Sequence, residues 1–303
     1  MADAIAFPTP RVFSTGYLME WNRAYYWMAV AISTPAHLQL ELERAKVLQH
    51  DMIKSYVRMP DLMQKRIVDF AHSIGVPVSS HEIYPSALDG IDAVEHTTGT
   101  SRRGYSPKMA TLNRSYSDVT QILAGAGMTF TPTLGLSGAA LRQMVNDDPV
   151  LKTDSRLSLY PEWLVQQIVG GARTTAQPAA PAAQPMNGSY EMIMNLKKAG
   201  VRIVAGTDTP MAPNLHAELQ SYVAAGMTPF EALQTATVNA AAALRLDAGS
   251  IVAGKLADMA IVDGNPLEKI TATYKVKRVI ANGRDYTVDA LVSGKNLTPR
   301  NAP

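Results

Sequence analysis

The sequence predicts an α/β fold of about six parallel strands alternating with helices, followed by a small β unit. Three observations predict it. From Ser33 onward, short β-branched runs alternate with longer runs of helical spacing, the signature of βαβ units on a parallel sheet. After Ala243 the period changes to two, as in paired strands. The 303 residues, 47% hydrophobic and 18% charged, have a globular composition. They suffice for a (β/α) barrel core, which needs about 250 residues.

Taken in order, Arg11–Ser14 is the expected first strand. Ser33-Thr34-Pro35 offers an N-cap and an N1 proline to a helix over His37–Gln49. Met52–Val57 follows as a strand, Asp61–Ile74 as a helix ended by Gly75, and Val76–His81 as the next strand. Ala93–His96 is a short strand and Ser117–Ala126 an amphipathic helix closed by Gly127. Met128–Thr133 and Val201–Asp208 are the last two strands of the series. Leu134–Asn187 reads as an insertion of irregular helices and the Pro/Ala-rich Ala176–Pro185, either a surface segment or a lid. Ser250–Asp263 and Val276–Gly283 read as hairpin-like strands with an Asn-Gly turn signal. The expected division is a barrel over 1–248, with its insertion at about 137–190, and a small β unit over 249–303.

Composition removes several function classes. Lys and Arg number 28 against 26 Asp and Glu, a formal charge of +2, so no basic stripe points to nucleic acid. The chain has no cysteine, which excludes disulfides, Cys-ligated metals and a thiol nucleophile. No apolar run reaches the roughly 18 residues of a membrane span, and Met1–Phe7 has neither a basic n-region nor a long apolar core. The expectation is a soluble chain, cytoplasmic by default, acting on a small molecule. Residues 17–30 carry two of the three Trp and three of the 12 Tyr. Such a load suits an interface, so a homo-oligomer is expected.

In an α/β barrel the C-terminal strand ends line the active-site mouth. Lys54, His81, His96 and Asp208 stand at or near the ends of four candidate strands. Two imidazoles and a carboxylate suit Zn²⁺ or a similar ion. Each also has a structural reading: a histidine satisfied by its neighbours, or Asp208 capping the turn Gly206-Thr207-Asp208-Thr209-Pro210. His37, His50 and His72 fall on helices and read as surface residues. No Gly-x-Ser-x-Gly elbow is present, and Gly135-Leu136-Ser137-Gly138 lacks its spacing.

Several stretches together resemble the amidohydrolase superfamily, in particular its imidazolonepropionase-like and Xaa-Pro dipeptidase-like branch. They are Met52-Ile53-Lys54, Val78-Ser79-Ser80-His81-Glu82, Val94-Glu95-His96, Ala205-Gly206-Thr207-Asp208-Thr209, His216-Ala217-Glu218-Leu219 and the tail from Ala236 to Met259. The resemblance implies an incomplete TIM-type barrel with a partial β-sandwich, and a metal-dependent hydrolase of an ester, amide or peptide-like bond using a metal-activated water. It implies a carbamylated Lys54, His81 and His96 as metal ligands, and Asp208 as ligand and base. Glu82 and His216 become candidates behind the ligands or against substrate, and Tyr56 and Arg58 for a substrate oxygen or carboxylate.

The superfamily opens with a His-x-His pair on its first strand, and no His-x-His occurs here. The chain therefore reads as a barrel that begins near strand three and holds one divalent ion, zinc by its donor set, rather than two. The competing expectation is a remnant that folds but serves as a binding or assembly module.

Overall fold

A computed structural model of the chain describes residues 10–97, 108–110, 112, 114–137, 139–166 and 184–293. In order the elements are β1 (Leu18–Trp21), β2 (Ala29–Ile32), α1 (Pro35–Val47), β3 (Ile53–Lys54), α2 (Asp61–Ser73), β4 (Val78–Ser80), α3 (Ser86–Asp89), β5 (Ala93–Glu95), α4 (Ser117–Gly125) and β6 (Thr129–Thr131). Then come α5 (Ala139–Asp147), α6 (Glu162–Val165), α7 (Gln184–Lys198), α8 (Pro213–Ala225), α9 (Pro229–Thr235), α10 (Val238–Ala243), β7 (Met259–Val262), β8 (Val276–Ala281), β9 (Arg284–Thr287) and α11 (Val288–Val292). Of the Pro/Ala-rich stretch, residues 176–183 lie outside the described residues, and its end begins α7.

The central sheet is parallel, in the order β3-β4-β5-β6. Each strand sends one fully buried residue into the core: Ile53, Val78, Val94 and Phe130. Ile67, Val68 and Ala71 of α2 and Leu123 of α4 join them, each large side chain contributing about 1.5–3 kcal/mol by its removal from water. Thr34 caps α1 by accepting the His37 N–H at 3.1 Å. Single parallel bridges, Met19 to Ser55 and Phe130 to Ile203, carry the pairing outward on both sides. Among the described residues it does not close into a barrel.

Three expectations are corrected. Arg11–Ser14 forms no strand, and the series begins instead at β1. β1 and β2 pair in parallel inside the segment expected to be an aromatic arm. Val201–Asp208 pairs only at Ile203: the Ile203 carbonyl accepts from the Asn239 side chain and the Ala205 N–H donates to the Thr235 carbonyl, so this edge is taken by α9 and α10 rather than by another strand. In the C-terminal unit, Gly254 with φ 91° turns the chain, and only Met259–Val262 of the first expected strand is extended. The Asn282-Gly283 turn, with φ 52° and 73°, joins β8 to β9 and completes a three-stranded antiparallel sheet. Both residues are left-handed, as a tight hairpin turn requires.

Within the insertion, Leu141, Met144, Val145, Leu151, Leu157 and Leu164 form a separate small core against Ala217 of α8 and Tyr274. Its entry is fixed by one buried carboxylate. Glu218 of α8 accepts the N–H groups of Leu134 and Gly135 at 2.9 and 2.7 Å and the Tyr222 hydroxyl at 2.8 Å. Burial pushes its carboxyl up to about 7 against these three donors. The folded chain thus holds this proton more firmly than the unfolded one, so the stability it contributes is complete below the ordinary glutamate pKa and lost as pH rises through about 7. In Glu218→Gln an amide NH₂ meets a backbone N–H. We expect a loss on the order of 1–3 kcal/mol and disappearance of the slope between pH 5 and 8, read by urea unfolding. A variant that keeps the wild-type slope would contradict this.

Candidate active site

The parallel register of β4 and β5, Ser79 with Ala93 and Ser80 with Val94, places the residues after their ends side by side. His81 and His96 meet there. Their Nε2 atoms lie 3.2 Å apart, and the Nδ1 of His96 lies 2.6 Å from the Thr133 hydroxyl just beyond β6. The threonine bond holds the His96 ring so that Nε2 faces its partner. Asp208 approaches the same atom, with Oδ2 at 3.9 Å from His96 Nε2 and its side chain 54% exposed. Both rings are disfavoured as cations. Burial, with the charges of Lys54 and His96, lowers His81 to about 2. Burial also lowers His96, against Asp208 and Glu95.

His96, Thr133 and Asp208 share a left-handed backbone, with φ of 67°, 53° and 51°. Non-glycine residues rarely hold this conformation, and it concentrates at functional sites. Here His96 and Thr133 lie just past strand ends, and Asp208, beyond the single bridge at Ile203, reaches the same imidazole. Gly206 allows the approach of the last segment, since a Cβ there would stand 2.4 Å from the Thr131 methyl.

Lys54 is buried and forms an ion pair with Glu95. Burial pulls its ammonium down, opposed by Glu95 and Asp208. A second buried lysine, Lys108, donates to the Glu95 carbonyl at 2.7 Å, and burial lowers it to about 8. No local pattern marks Lys108, which follows no recognisable element. Glu95 stands beside His96 and Thr133 ends a predicted strand, but local spacing does not reveal that they meet Lys54 and His96 across the sheet.

The remaining candidates separate. Tyr56 is buried with its ring 4.9 Å from that of His81, and Glu82 is buried beside it. Arg58 lies 2.9 Å from the fully buried Glu20 and over the Tyr25 ring at 5.3 Å, so its charge is engaged within the chain. His216 is held by residues of the C-terminal part of the chain. Its Nδ1 is 3.2 Å from the Thr273 hydroxyl, its ring 5.3 Å from Tyr274, and burial lowers it to about 4.

Two imidazole nitrogens bound to one tetrahedral ion at about 2.05 Å would stand about 3.3 Å apart, so the observed pair fits two ligands of a metal. Among the described residues no three His, Asp or Glu side chains gather closely enough to hold an ion. The two imidazoles stand at the spacing such a site would need, and the Asp208 carboxylate approaches the same His96 nitrogen.

Residues 60–285 match the amidohydrolase family, a stretch that includes both imidazoles and Asp208. The chain belongs to the amidohydrolase family. An 86-residue stretch is 41% identical to ochratoxinase of Aspergillus niger, covering 27% of this chain and 18% of that protein. The match thus spans under a fifth of the curated relative's length. Among solved structures, a Xaa-Pro dipeptidase with methionine in its active site superposes with TM-score 0.64 at 21% identity, over 94% of this chain and 71% of that one. A bottromycin amidohydrolase gives 0.66 at 17%, over 96% and 69%, and A. niger ochratoxinase 0.59 at 19%, over 92% and 66%. These likenesses show the shared fold.

The Thr133 contact yields a prediction. Thr133→Val removes the partner of a buried nitrogen, which costs about 1–3 kcal/mol. It should also shift the His96 tautomer, read from long-range ¹H–¹⁵N NMR of the imidazoles. An unchanged His96 spectrum would remove Thr133 from its orienting role.

Proposed function

We propose that this amidohydrolase family member hydrolyses an amide, ester or peptide-like bond of a small molecule at the His81–His96 pair, with one divalent ion. The observation that carries the reading is the 3.2 Å approach of the two Nε2 atoms, with Asp208 at 3.9 Å from one of them. The family generally uses divalent metal, and the nitrogen-rich donor set favours zinc.

The chemistry a bound ion supplies is polarisation of the scissile carbonyl and a lowering of a water's pKa towards about 7. Asp208 takes the proton of the attacking water on Oδ2 and delivers it to the leaving nitrogen or oxygen. His81 and His96, kept neutral by burial, present lone pairs rather than protons. The Lys54 and Lys108 ammoniums flank Glu95 and set a positive field beside the carbonyl. A carbamate on Lys54 would put an anion where Glu95 now faces an ammonium, so carbamylation requires that pair to open.

The parts of the chain take roles accordingly. The barrel spans 1–248, incomplete and with its insertion at about 137–190. Residues 249–303 form a partial β-sandwich, supported by the antiparallel sheet that shares no ladder with the parallel strands among the described residues. Trp27, 89% exposed beside the edge strand β2, supports a homo-oligomer. No described helix is long and apolar enough to cross a membrane. The open third ligand position favours a second reading, a member that binds amide-like ligands without cleaving them.

Asp208→Asn should lower turnover of N-acyl amino acids by about 10²–10⁴-fold while bound metal, read by elemental analysis, is retained. A full-rate variant would remove the proton-transfer role. Lys54→Arg keeps a cation for Glu95 and cannot be carbamylated. Loss of turnover in this variant as complete as in Lys54→Ala supports the carbamate, whereas recovery with arginine contradicts it. Wild-type protein that binds metal and N-acyl amino acids but turns none over supports the second reading.

A further inference from the structure

We infer that residues 22–28, the loop between β1 and β2, form a substrate-selecting wall in which Tyr25 and Tyr26 receive a flat aromatic group attached next to the scissile bond. The inference rests on the hydrolase reading for its scissile bond, and on separate observations for the wall.

The first is a continuous ladder of rings leading out of the site. His96 meets His81 at 4.6 Å between ring centroids, His81 meets Tyr56 at 4.9 Å, Tyr56 meets Tyr26 at 5.8 Å, and Tyr26 meets Tyr25 at 4.7 Å. The interplanar angles run from 62° to 88°, so each is an edge-to-face contact of the kind aromatic rings favour. Burial changes along it. Tyr56 is 2% exposed and serves as backing, whereas Tyr26 and Tyr25 are 43% and 56% exposed and keep free ring surface. A planar group reaching from the imidazole pair extends the ladder by one more ring.

The second observation is that the loop is fastened to the site by charge. Glu20, fully buried at the end of β1, accepts the Tyr25 N–H at 2.8 Å and faces the Arg58 guanidinium at 2.9 Å. Arg58 follows the strand of Lys54 and also covers the Tyr25 ring. A buried carboxylate needs such partners. Burial of an ion pair confers little net stability, so its consequence here is position. It ties the loop to the end of β3 and presents the two tyrosines already ordered, the pre-organisation that lowers the entropic cost of binding. The wall favours aromatic over small aliphatic groups, since a methyl offers neither a face nor an edge to the tyrosines.

N-benzoylglycine and N-acetylglycine share a carboxylate and an amide and differ only in a phenyl against a methyl. Their dissociation constants, measured by calorimetry on the full chain, give the selectivity without turnover. Wild type should bind the benzoyl compound more tightly. Tyr26→Ala should lower the benzoyl-to-acetyl preference by about 3–10-fold, the equivalent of one edge-to-face contact, and Tyr26→Phe should retain it. Tyr25→Ala should act in the same direction. Undetectable benzoyl binding, equal affinities in wild type, or an unchanged preference in Tyr26→Ala overturns the wall. So does equal loss in Tyr26→Ala and Tyr26→Phe with a fall in melting temperature, which marks a purely structural role. If neither compound is hydrolysed while the preference follows Tyr26, the hydrolase reading fails and the wall stands.

Discussion

The parallel pairing of β4 with β5 is the constraint on which the site depends. Its register brings the two residues that carry imidazoles to the same end of neighbouring strands. Placed by a rigid ladder, two rings that repel each other as cations remain neutral and face each other through Nε2. An antiparallel pairing would send one of them to the opposite end of the sheet. The left-handed backbone at His96, Thr133 and Asp208 is strain of roughly 1–3 kcal/mol per residue, which the surrounding packing must hold in place.

That support can be followed through the molecule. Glu218 binds the N–H groups of Leu134 and Gly135, the residues directly after Thr133, and Thr133 in turn orients His96. A carboxylate of α8 thus fixes the first turn after β6 and, through one peptide, the hydroxyl that sets an imidazole. On the other side, the Lys54–Glu95 pair joins the ends of β3 and β5 across β4. Its members neutralise each other where an isolated buried charge would be costly. Both supports use the physics of buried polar groups, which stay where their partners are.

The sequence made the central strands legible because β-branched runs lay between glycine and proline stops. Val76–His81 contained β4, Ala93–His96 contained β5, and Met128–Thr133 contained β6. Thr34 capped α1 as its position implied. β1 and β2 escaped because each has only four residues, and the Trp and Tyr residues of 17–30, most of them in the loop between the two, made the whole segment read as one apolar arm. At the site, the two imidazoles stood out by residue type at strand ends. Their tautomer, the Glu95 partner of Lys54 and the presence of Lys108 depend on which side chains the fold brings together, and local spacing carries none of this. The partners of His216, the Thr273 hydroxyl and the Tyr274 ring, lie 57 and 58 residues further along the chain and were equally beyond the reach of local spacing.

Titration of the metal-free chain with Co²⁺, followed by visible absorption, tests the imidazole pair as a metal centre, because the bands report both ligand type and geometry. Saturable bands of a low-coordinate nitrogen–oxygen site are expected, abolished in His81→Ala and in His96→Ala. Absence of such bands, or bands that survive both substitutions, would contradict the assignment of the imidazole pair as the metal centre.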